Sequence, residues 1–300
     1  MSDSLEGRVL VSYGSHGIVE LADGTRLDCA YRRQVGRPVC GDHVAVAMSG
    51  THQGVVEDIR TRRNEFARAD RRQRRQVIAA NLDQVLIVVA ARPAPSQDLL
   101  ERYLVAVHSL GIQPVIVLNK VDLETSEPAA PASPALLRLP AYIQLGYTVL
   151  RTSCKGAPGT DALRAAVRDR TSILVGQSGV GKSSLVQRLL PDQDIQTGEL
   201  SRVTGKGTHT TTTTILYRLP DGGHLIDSPG VWEFGLWKLD DPQLARGFPE
   251  FTPWLGQCKF GDCRHASEPG CAIKAAVEAD DIRGWRYRSY LRLLQQNEAV

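Results

Sequence analysis

The sequence lacks a hydrophobic run long enough to cross a membrane. Its longest strongly apolar run, residues 85–91, is far shorter than the roughly 20 residues that a membrane-spanning helix needs. Residues 1–6 contain neither the basic nor the apolar region of a signal peptide. These absences predict a cytoplasmic protein with no membrane partner.

The chain also has little net charge, +3 over 300 residues, and that charge is unevenly distributed. Between residues 60 and 75, eight arginines stand against Glu65 and Asp70, so this run carries +6 and the remainder −3. Such a run is typical either of a solvated linker or helix face, or of a surface that contacts nucleic-acid phosphates.

The length of 300 residues predicts about two domains, or three if some are small.

The first 68 residues contain β-rich runs separated by glycine-containing turn signals, without a helical pattern between them. This pattern predicts a small closed β-barrel resembling an OB-fold. Such barrels often bind oligonucleotides, but many bind nothing of the kind, and the barrel pattern alone leaves both interpretations open.

From residue 82 onward, buried-strand patterns alternate with helical ones. The runs 85–89, 115–118 and 147–150 are apolar strand candidates, and Leu100, Leu104 and Val107 share one side of a predicted helix between the first two. Residues 215–219 and 224–226 predict a hairpin. The pattern indicates a doubly wound α/β domain.

Residues 176–183 have the spacing G-x-x-x-x-G-K-S between a strand candidate and a helix candidate, which is the context of a phosphate-binding P-loop. The glycines let backbone N–H groups converge on phosphates at a helix N-terminus. Lys182 would reach the β- and γ-phosphates as a catalytic residue, and the Ser183 hydroxyl would bind Mg²⁺. The predicted nucleotide-binding residues of this loop are Gly176, Gln177, Ser178, Gly179, Val180, Gly181, Lys182, Ser183 and Ser184.

Residues 119–122 form an N-K-x-D motif directly after the strand candidate 115–118. The Asp122 carboxylate can accept hydrogen bonds from guanine N1–H and the 2-amino group, a pair that adenine does not offer. Asn119 would buttress the site, and the Lys120 stem would lie over the base. The motif therefore predicts specificity for guanine.

Two further short motifs follow strand candidates. Ser153, Cys154 and Lys155 are similar to the S-A-K loop whose backbone N–H meets guanine O6, with cysteine in place of alanine. The D-S-P-G sequence at 227–230 fits D-x-x-G, in which Asp227 would hold Mg²⁺ through water and the Gly230 N–H would contact the γ-phosphate.

The order of these motifs is unusual, because N-K-x-D and S-C-K precede the P-loop instead of following it. Joining the termini of an ordinary GTPase domain and opening its chain after the D-x-x-G strand would produce this order and keep the same sheet, since termini at the surface tolerate such a change. The sequence thus indicates a circularly permuted GTPase domain.

Three cysteines and a histidine cluster near the C-terminus at Cys258, Cys263, His265 and Cys271. Three thiolates and one imidazole make a closed tetrahedral set, the form of structural Zn²⁺ sites. We therefore predict one structural zinc per chain. Residues 275–294 read as helical, and their aromatic residues are expected to pack on this module.

The permuted motif order, the G-K-G-T-H-T-T-T stretch at 205–212, the D-S-P-G loop and the cysteine–histidine spacing together resemble the ribosome small-subunit-dependent GTPases of the RsgA/YjeQ type. The resemblance covers essentially the whole chain. It implies a factor in late 30S subunit maturation that hydrolyses GTP to GDP and phosphate, faster when bound to the subunit. It also implies that the barrel and the zinc module contact 16S rRNA.

The resemblance implies a multidomain α/β protein with an OB-like barrel (1–68), a permuted GTPase domain (69–234) and a zinc-binding helical module (235–300). The protein is expected to be a monomer.

The resemblance also points to Thr211 as a Mg²⁺ ligand, with Thr210 and Thr212 as near alternatives. Position 231, where Ras-like enzymes have a water-orienting glutamine, is valine. His209 is the only side chain of residues 206–214 that titrates near neutrality, and the resemblance implies that it is catalytic.

Two other function classes stay open on the residues alone. The chain could be a regulatory GTP switch with a protein partner and no link to the ribosome. It could also be an RNA-modifying or RNA-remodelling enzyme that uses the nucleotide only as a clamp.

Overall fold

The computed structural model describes residues 4–69, 75–95, 97–123, 133–191, 214–228 and 239–298. Within these ranges no helix combines the length and the apolar character that crossing a membrane requires. The strands are β1 Leu5–Ser12, β2 His16–Leu21, β3 Arg26–Tyr31, β4 His43–Gly50, β5 Gln53–Ile59, β6 Glu65–Ala69, β7 Arg75–Ala80, β8 Gln84–Ala90, β9 Gln113–Asn119, β10 Thr148–Arg151, β11 Thr171–Val175, β12 Ile215–Arg218 and β13 His224–Asp227.

The α-helices of the described residues are α1 Gln97–Ser109, α2 Pro134–Leu137, α3 Leu139–Gln144, α4 Asp161–Val167, α5 Lys182–Leu189, α6 Asp241–Arg246, α7 Ala272–Glu278 and α8 Gly284–Glu298. Short 3₁₀ turns occur at Arg33–Val35 and Pro249–Trp254.

The N-terminal strands form a closed five-stranded barrel, as the sequence predicts. The strands pair in the order β1-β2-β3-β5-β4, and β4 returns to pair with β1. The β3–β5 pairing is parallel, whereas the others are antiparallel. Alternating inward side chains fill the barrel, as expected for half-buried strands; they are Val9, Val19, Leu27, Cys29, Val44, Val46 and Val56.

The second sheet has the order β10-β9-β8-β11-β13-β12, in which only the edge strand β12 runs antiparallel. Every residue of β8 is buried, because helices cover both faces of this sheet. Leu100, Leu104 and Val107 of α1 are fully buried on one of those faces, as predicted. The β12–β13 hairpin also forms as predicted.

The barrel and the mixed sheet are continuous through a pairing between β1 and β12, with Val11 opposite Ile215. The hairpin β6–β7 follows the barrel, and strand β6 extends across the predicted domain boundary at residue 68. Among the described residues of the run, Arg60, Arg62 and Arg63 precede β6 and Arg75 begins β7, so none of these four lies in a helix.

The predicted helix over 275–294 is instead two helices, α7 and α8. Asp280 has a positive φ of 62°, and the N–H of Asp281 donates to the carbonyl of Ala276 at 2.9 Å. A left-handed residue with a backbone bond of this kind ends a helix. Tyr287 and Tyr290 of α8 pack on the C-terminal module as predicted, with Tyr290 fully buried against Phe248 and Phe251. Trp285 instead packs on the core of the mixed sheet, with its ring 5.3 Å from that of Tyr142.

A buried network of charged side chains anchors the C-terminal helices to the domain that contains the mixed sheet. Arg286 of α8 and Glu101 of α1 have no exposed side-chain surface, and the Arg286 guanidinium donates to both Glu101 and Glu250. Tyr142 donates its hydroxyl to the other oxygen of Glu101 at 2.7 Å. Arg286 also lies over the Phe248 ring, 4.5 Å from its centroid. One guanidinium thus joins α1, α8 and the Pro249–Trp254 turn.

Candidate functional site

The P-loop lies between β11 and α5 with a backbone that only glycine adopts readily. Gly176 has a φ of 143°, and a Cβ there would lie 2.3 Å from the Val88 carbonyl oxygen. Gly181 has a φ of 96°, and a Cβ there would lie 2.5 Å from the Asn119 amide nitrogen. The two glycines therefore permit close contact with strands β8 and β9.

Lys182 is nearly buried at the start of α5, and its ammonium donates to the carbonyls of Gly176 and Gln177, both at 2.7 Å. Burial lowers the pKa of Lys182 to about 8, an effect that the Asp227 carboxylate opposes. Burial raises the pKa of Asp227, and Lys182 counteracts this rise. Ser183 and Ser184 are exposed in the first turn of the same helix. A lysine, an exposed hydroxyl and a carboxylate thus surround one end of the loop.

Asn119 connects the N-K-x-D segment to the P-loop. Its amide nitrogen donates to the Val180 carbonyl at 2.9 Å, and its amide oxygen accepts from the Thr152 hydroxyl at 3.1 Å. Lys120 has a positive φ of 61°, and its ammonium donates to the Gly179 carbonyl at 2.6 Å. Two separate sequence motifs therefore form a single structural unit.

The S-C-K loop lies against Asp122. The Ser153 hydroxyl donates to an Asp122 carboxylate oxygen at 2.5 Å and accepts from the backbone N–H groups of Lys155 and Gly156. This arrangement fixes the direction of the Asp122 carboxylate, so the structure brings the two predicted base-binding motifs together.

Three predicted site residues, His209, Thr211 and Gly230, lie outside the described residues. The strands that flank their segments are described. The Thr214 hydroxyl is 2.8 Å from the Ser228 hydroxyl, where β12 begins and β13 ends. Asp227 at the end of β13 lies opposite Ile215.

Sequence reasoning missed two residues that support these loops. Thr152, which orients Asn119, directly precedes the S-C-K motif, so a polar residue at a strand end was an available signal. Arg188 donates to the carbonyl of Cys154. Nothing in its local sequence marks this contact.

The cysteine–histidine residues come together as predicted. The ligand atoms of Cys258, Cys263, His265 and Cys271 all lie within 4.8 Å of one another. The Sγ atoms of Cys258 and Cys271 are 3.9 Å apart, and His265 Nδ1 lies 3.4 Å from the first and 3.5 Å from the second. Zinc–sulfur and zinc–nitrogen bonds of ordinary length in a tetrahedron give edges of about 3.8 and about 3.6 Å. The four residues therefore fit a tetrahedral metal ion.

The backbone of this module is held by groups outside the ligand set. The Glu268 carboxylate accepts from the N–H groups of Arg264 and Ala266 on either side of His265, whose φ is 58°. Tyr287 donates its hydroxyl to the His265 carbonyl at 2.8 Å. Such supporting contacts fix the orientation of a metal ligand.

Arginines at the start and end of the arginine-rich run pair with carboxylates of the protein itself. The pairs are Arg60 with Glu6 and Asp58, Arg62 with Asp42 and Glu65, Arg63 with Asp83, and Arg75 with Glu65. Asp42 is fully buried, and Arg62 donates to both of its oxygens at 2.8 Å. These arginines join the barrel, the hairpin and the mixed sheet, so the local charge of +6 overstates the positive potential of the run.

Comparison with known proteins identifies the family. The model of the RsgA GTPase family matches residues 59–237. The chain is 47% identical over 294 residues to the small ribosomal subunit biogenesis GTPase RsgA of Chromohalobacter salexigens, covering 96% of this chain and 85% of that protein. It is 44% identical over 303 residues to the protein of the same name from Mannheimia succiniciproducens, covering 99% and 85%.

Solved structures agree with this result. YjeQ from Thermotoga maritima is similar with a TM-score of 0.77 at 28% identity, over 99% of both chains. The circularly permuted GTPase YloQ is similar with a TM-score of 0.74 at 27% identity, over 99% of this chain and 96% of the other. The fold, the permuted order of the nucleotide motifs and the sequence similarity lead to one conclusion: the chain belongs to the RsgA family of circularly permuted GTPases.

Proposed function

We infer that this protein is a GTPase that acts in the biogenesis of the small ribosomal subunit and hydrolyses GTP to GDP and phosphate. The observation that carries this inference is the hydrogen-bonded unit in which Asn119 contacts the P-loop and Asp122 contacts Ser153 of the S-C-K segment, in a chain of the RsgA family. Its curated relatives are named for small ribosomal subunit biogenesis. A cytoplasmic location follows from that role.

Nucleotide binding is assigned to both halves of this unit. Asp122, oriented by Ser153, would accept from guanine N1–H and the 2-amino group, and the backbone N–H of Cys154 would meet O6. The N–H groups of the P-loop would bind the phosphates at the start of α5. Lys182 would exchange its two carbonyl contacts for phosphate oxygens, whose negative charge favours the protonated ammonium.

The remaining assignments concern hydrolysis. Ser183, Thr211 and Asp227 would hold Mg²⁺, which when bound neutralises charge on the β- and γ-phosphates. The Gly230 N–H would contact the γ-phosphate. His209 would orient the attacking water or accept its proton, because Val231 has no hydrogen-bonding side-chain group.

We assign zinc to the Cys₃His cluster as a structural ion. Four protein ligands leave no open position for catalysis, and the spacing of the ligand atoms suits tetrahedral coordination. The ion would hold the loop that α8 packs against.

We propose that the barrel (1–68) and the zinc module (235–300) contact 16S rRNA of the 30S subunit, while the domain between them (69–234) binds nucleotide. The protein is expected to act as a monomer. The arginine-rich run between residues 60 and 75 is a further candidate for contact with rRNA phosphates.

The decisive experiment is GTP turnover measured alone, with purified 30S subunits and with 50S subunits as a control. We expect stimulation by 30S subunits only. The Asp122→Asn variant should lose GTP turnover and gain turnover of xanthosine triphosphate, whose 2-oxo group accepts where the 2-amino group donates. Turnover that is indifferent to 30S subunits would contradict the ribosomal role.

A further inference from the structure

Arg188 lies at the end of the P-loop helix α5 and reaches the loop assigned to the guanine base. One of its terminal nitrogens donates to the carbonyl oxygen of Cys154 at 2.7 Å. Arg188 belongs to neither the P-loop motif nor the S-C-K motif. Its contact nevertheless connects the element that holds the phosphates to the element that meets the base.

The peptide between Cys154 and Lys155 is held at both of its polar ends. Its carbonyl accepts from Arg188, and its N–H donates to the Ser153 hydroxyl at 3.1 Å. Because a trans peptide is planar and directs these two groups to opposite sides, the two bonds together fix the rotation of the plane.

The N–H assigned to guanine O6 belongs to the preceding peptide, between Ser153 and Cys154. On the N-terminal side of that peptide Ser153 itself is held, because its N–H donates to the Gly159 carbonyl at 3.0 Å and its hydroxyl donates to Asp122. Only the φ and ψ angles of Cys154 separate the two peptide planes. The Arg188 contact therefore restricts the direction of the Cys154 N–H.

Arg188 is itself supported from a further element. Arg164 of α4 donates to the main-chain carbonyl of Arg188, and another nitrogen of Arg164 lies 3.5 Å from a carboxylate oxygen of Asp221 in the β12–β13 turn. This support acts on the backbone of Arg188, from which the side chain extends to Cys154.

We propose that Arg188 is a positioning residue for guanine recognition, which directs the Cys154 N–H toward O6 by holding the Cys154 carbonyl. The proposal rests on the proposed function, since it requires a guanine nucleotide in the site. It adds a specificity determinant that acts on O6 and leaves the contacts of Asp122 unchanged.

The test compares nucleotides that differ at one position of the base. GDP is measured against 6-thio-GDP, in which a weaker acceptor replaces O6, and against inosine diphosphate, which keeps O6 but lacks the 2-amino group. Dissociation constants are measured for the wild type, Arg188→Met, Arg188→Lys and the control Arg168→Met, which removes an exposed arginine at the end of α4. Thermal midpoints are measured for each variant to compare folding.

Arg188→Met should weaken GDP binding roughly 3- to 10-fold, the scale of one hydrogen bond, and should change 6-thio-GDP binding much less. The preference for GDP over inosine diphosphate should stay the same, since Asp122 and Ser153 are untouched. Arg188→Lys should recover part of the loss, and Arg168→Met should resemble the wild type.

An equal loss for GDP and 6-thio-GDP would show a merely structural role and overturn the proposal, as would wild-type affinity in Arg188→Met. Failure of the proposed function gives a different result. A wild-type protein that binds adenosine diphosphate as tightly as GDP would contradict guanine binding itself.

Discussion

Replacing Arg286 with methionine should loosen the C-terminal module from the nucleotide-binding domain. The guanidinium is fully buried, as is Glu101, and Glu250 is only 10% exposed. Methionine keeps much of the apolar stem but leaves two carboxylates without their cation. Removing one partner of a buried ion pair costs about 3–5 kcal/mol, because the other charge stays desolvated.

The measurement is native-state hydrogen exchange of the backbone amides in α8, compared with those in the fully buried strand β8. A loss of about 3–5 kcal/mol in local opening free energy corresponds to roughly 150- to 5,000-fold faster exchange, at 1.36 kcal/mol for each factor of ten. Strand β8 should change much less, because its strand neighbours β9 and β11 belong to the nucleotide-binding sheet.

Two variants serve as controls for Arg286→Met. Arg283→Met removes an arginine whose partner Asp280 is 74% exposed, and exposed pairs contribute roughly 0–1 kcal/mol. The double variant Arg286→Met with Glu101→Gln should recover part of the loss, because it removes one buried charge. Unchanged protection of α8 in Arg286→Met would refute the view that this network anchors the module.

Three further outcomes are expected. Nucleotide affinity should fall about tenfold per pH unit above pH 8, because the pKa of Lys182 is lowered to about 8 and the phosphates select its protonated form. GDP titrations from pH 7 to 9, where guanine N1 keeps its proton, check this, and Lys182→Met should show no such dependence. Cys263→Ser should lower the zinc content from about one per chain and speed hydrogen exchange in α8, while GDP affinity stays nearly constant. Metal analysis and hydrogen exchange measure the two changes. A wild-type module that contains no zinc but is fully protected from exchange would contradict the assignment. His209→Ala should leave GTP affinity little changed and reduce 30S-stimulated turnover on the order of 10²-fold; normal stimulated turnover would exclude His209 from the chemistry.

The sequence by itself determined the elements whose information is local. The P-loop, the N-K-x-D segment and the Cys₃His cluster each occupy a short stretch, so their residue types and spacing suffice to predict them. The barrel and the mixed sheet were also predictable, because strand-forming runs and turn residues alternate with the correct period. The unusual order of the motifs sufficed to predict the permutation.

One local pattern misled the prediction. Residues 275–294 have helical character throughout, yet Asp280 adopts a left-handed conformation and separates α7 from α8. No glycine or proline stands at Asp280 to mark the end of α7, and the nearest glycine, Gly284, is the first residue of α8. The helices separate because each packs its own face on the module, with Ile273 and Ala276 of α7 and Tyr290 of α8 buried in one core.

Only the tertiary structure decided which charges are paired. Arg286 and Glu101 are 185 residues apart in sequence, and Arg188 is 34 residues from the carbonyl that it holds. The arginine-rich run was compatible with a linker, a helix face or a surface for nucleic-acid phosphates, and no pattern showed that its members at both ends meet carboxylates from the barrel and from the mixed sheet. Such pairs form where distant segments are brought together, and the energy that selects them comes from burial and geometry, neither of which a linear pattern records.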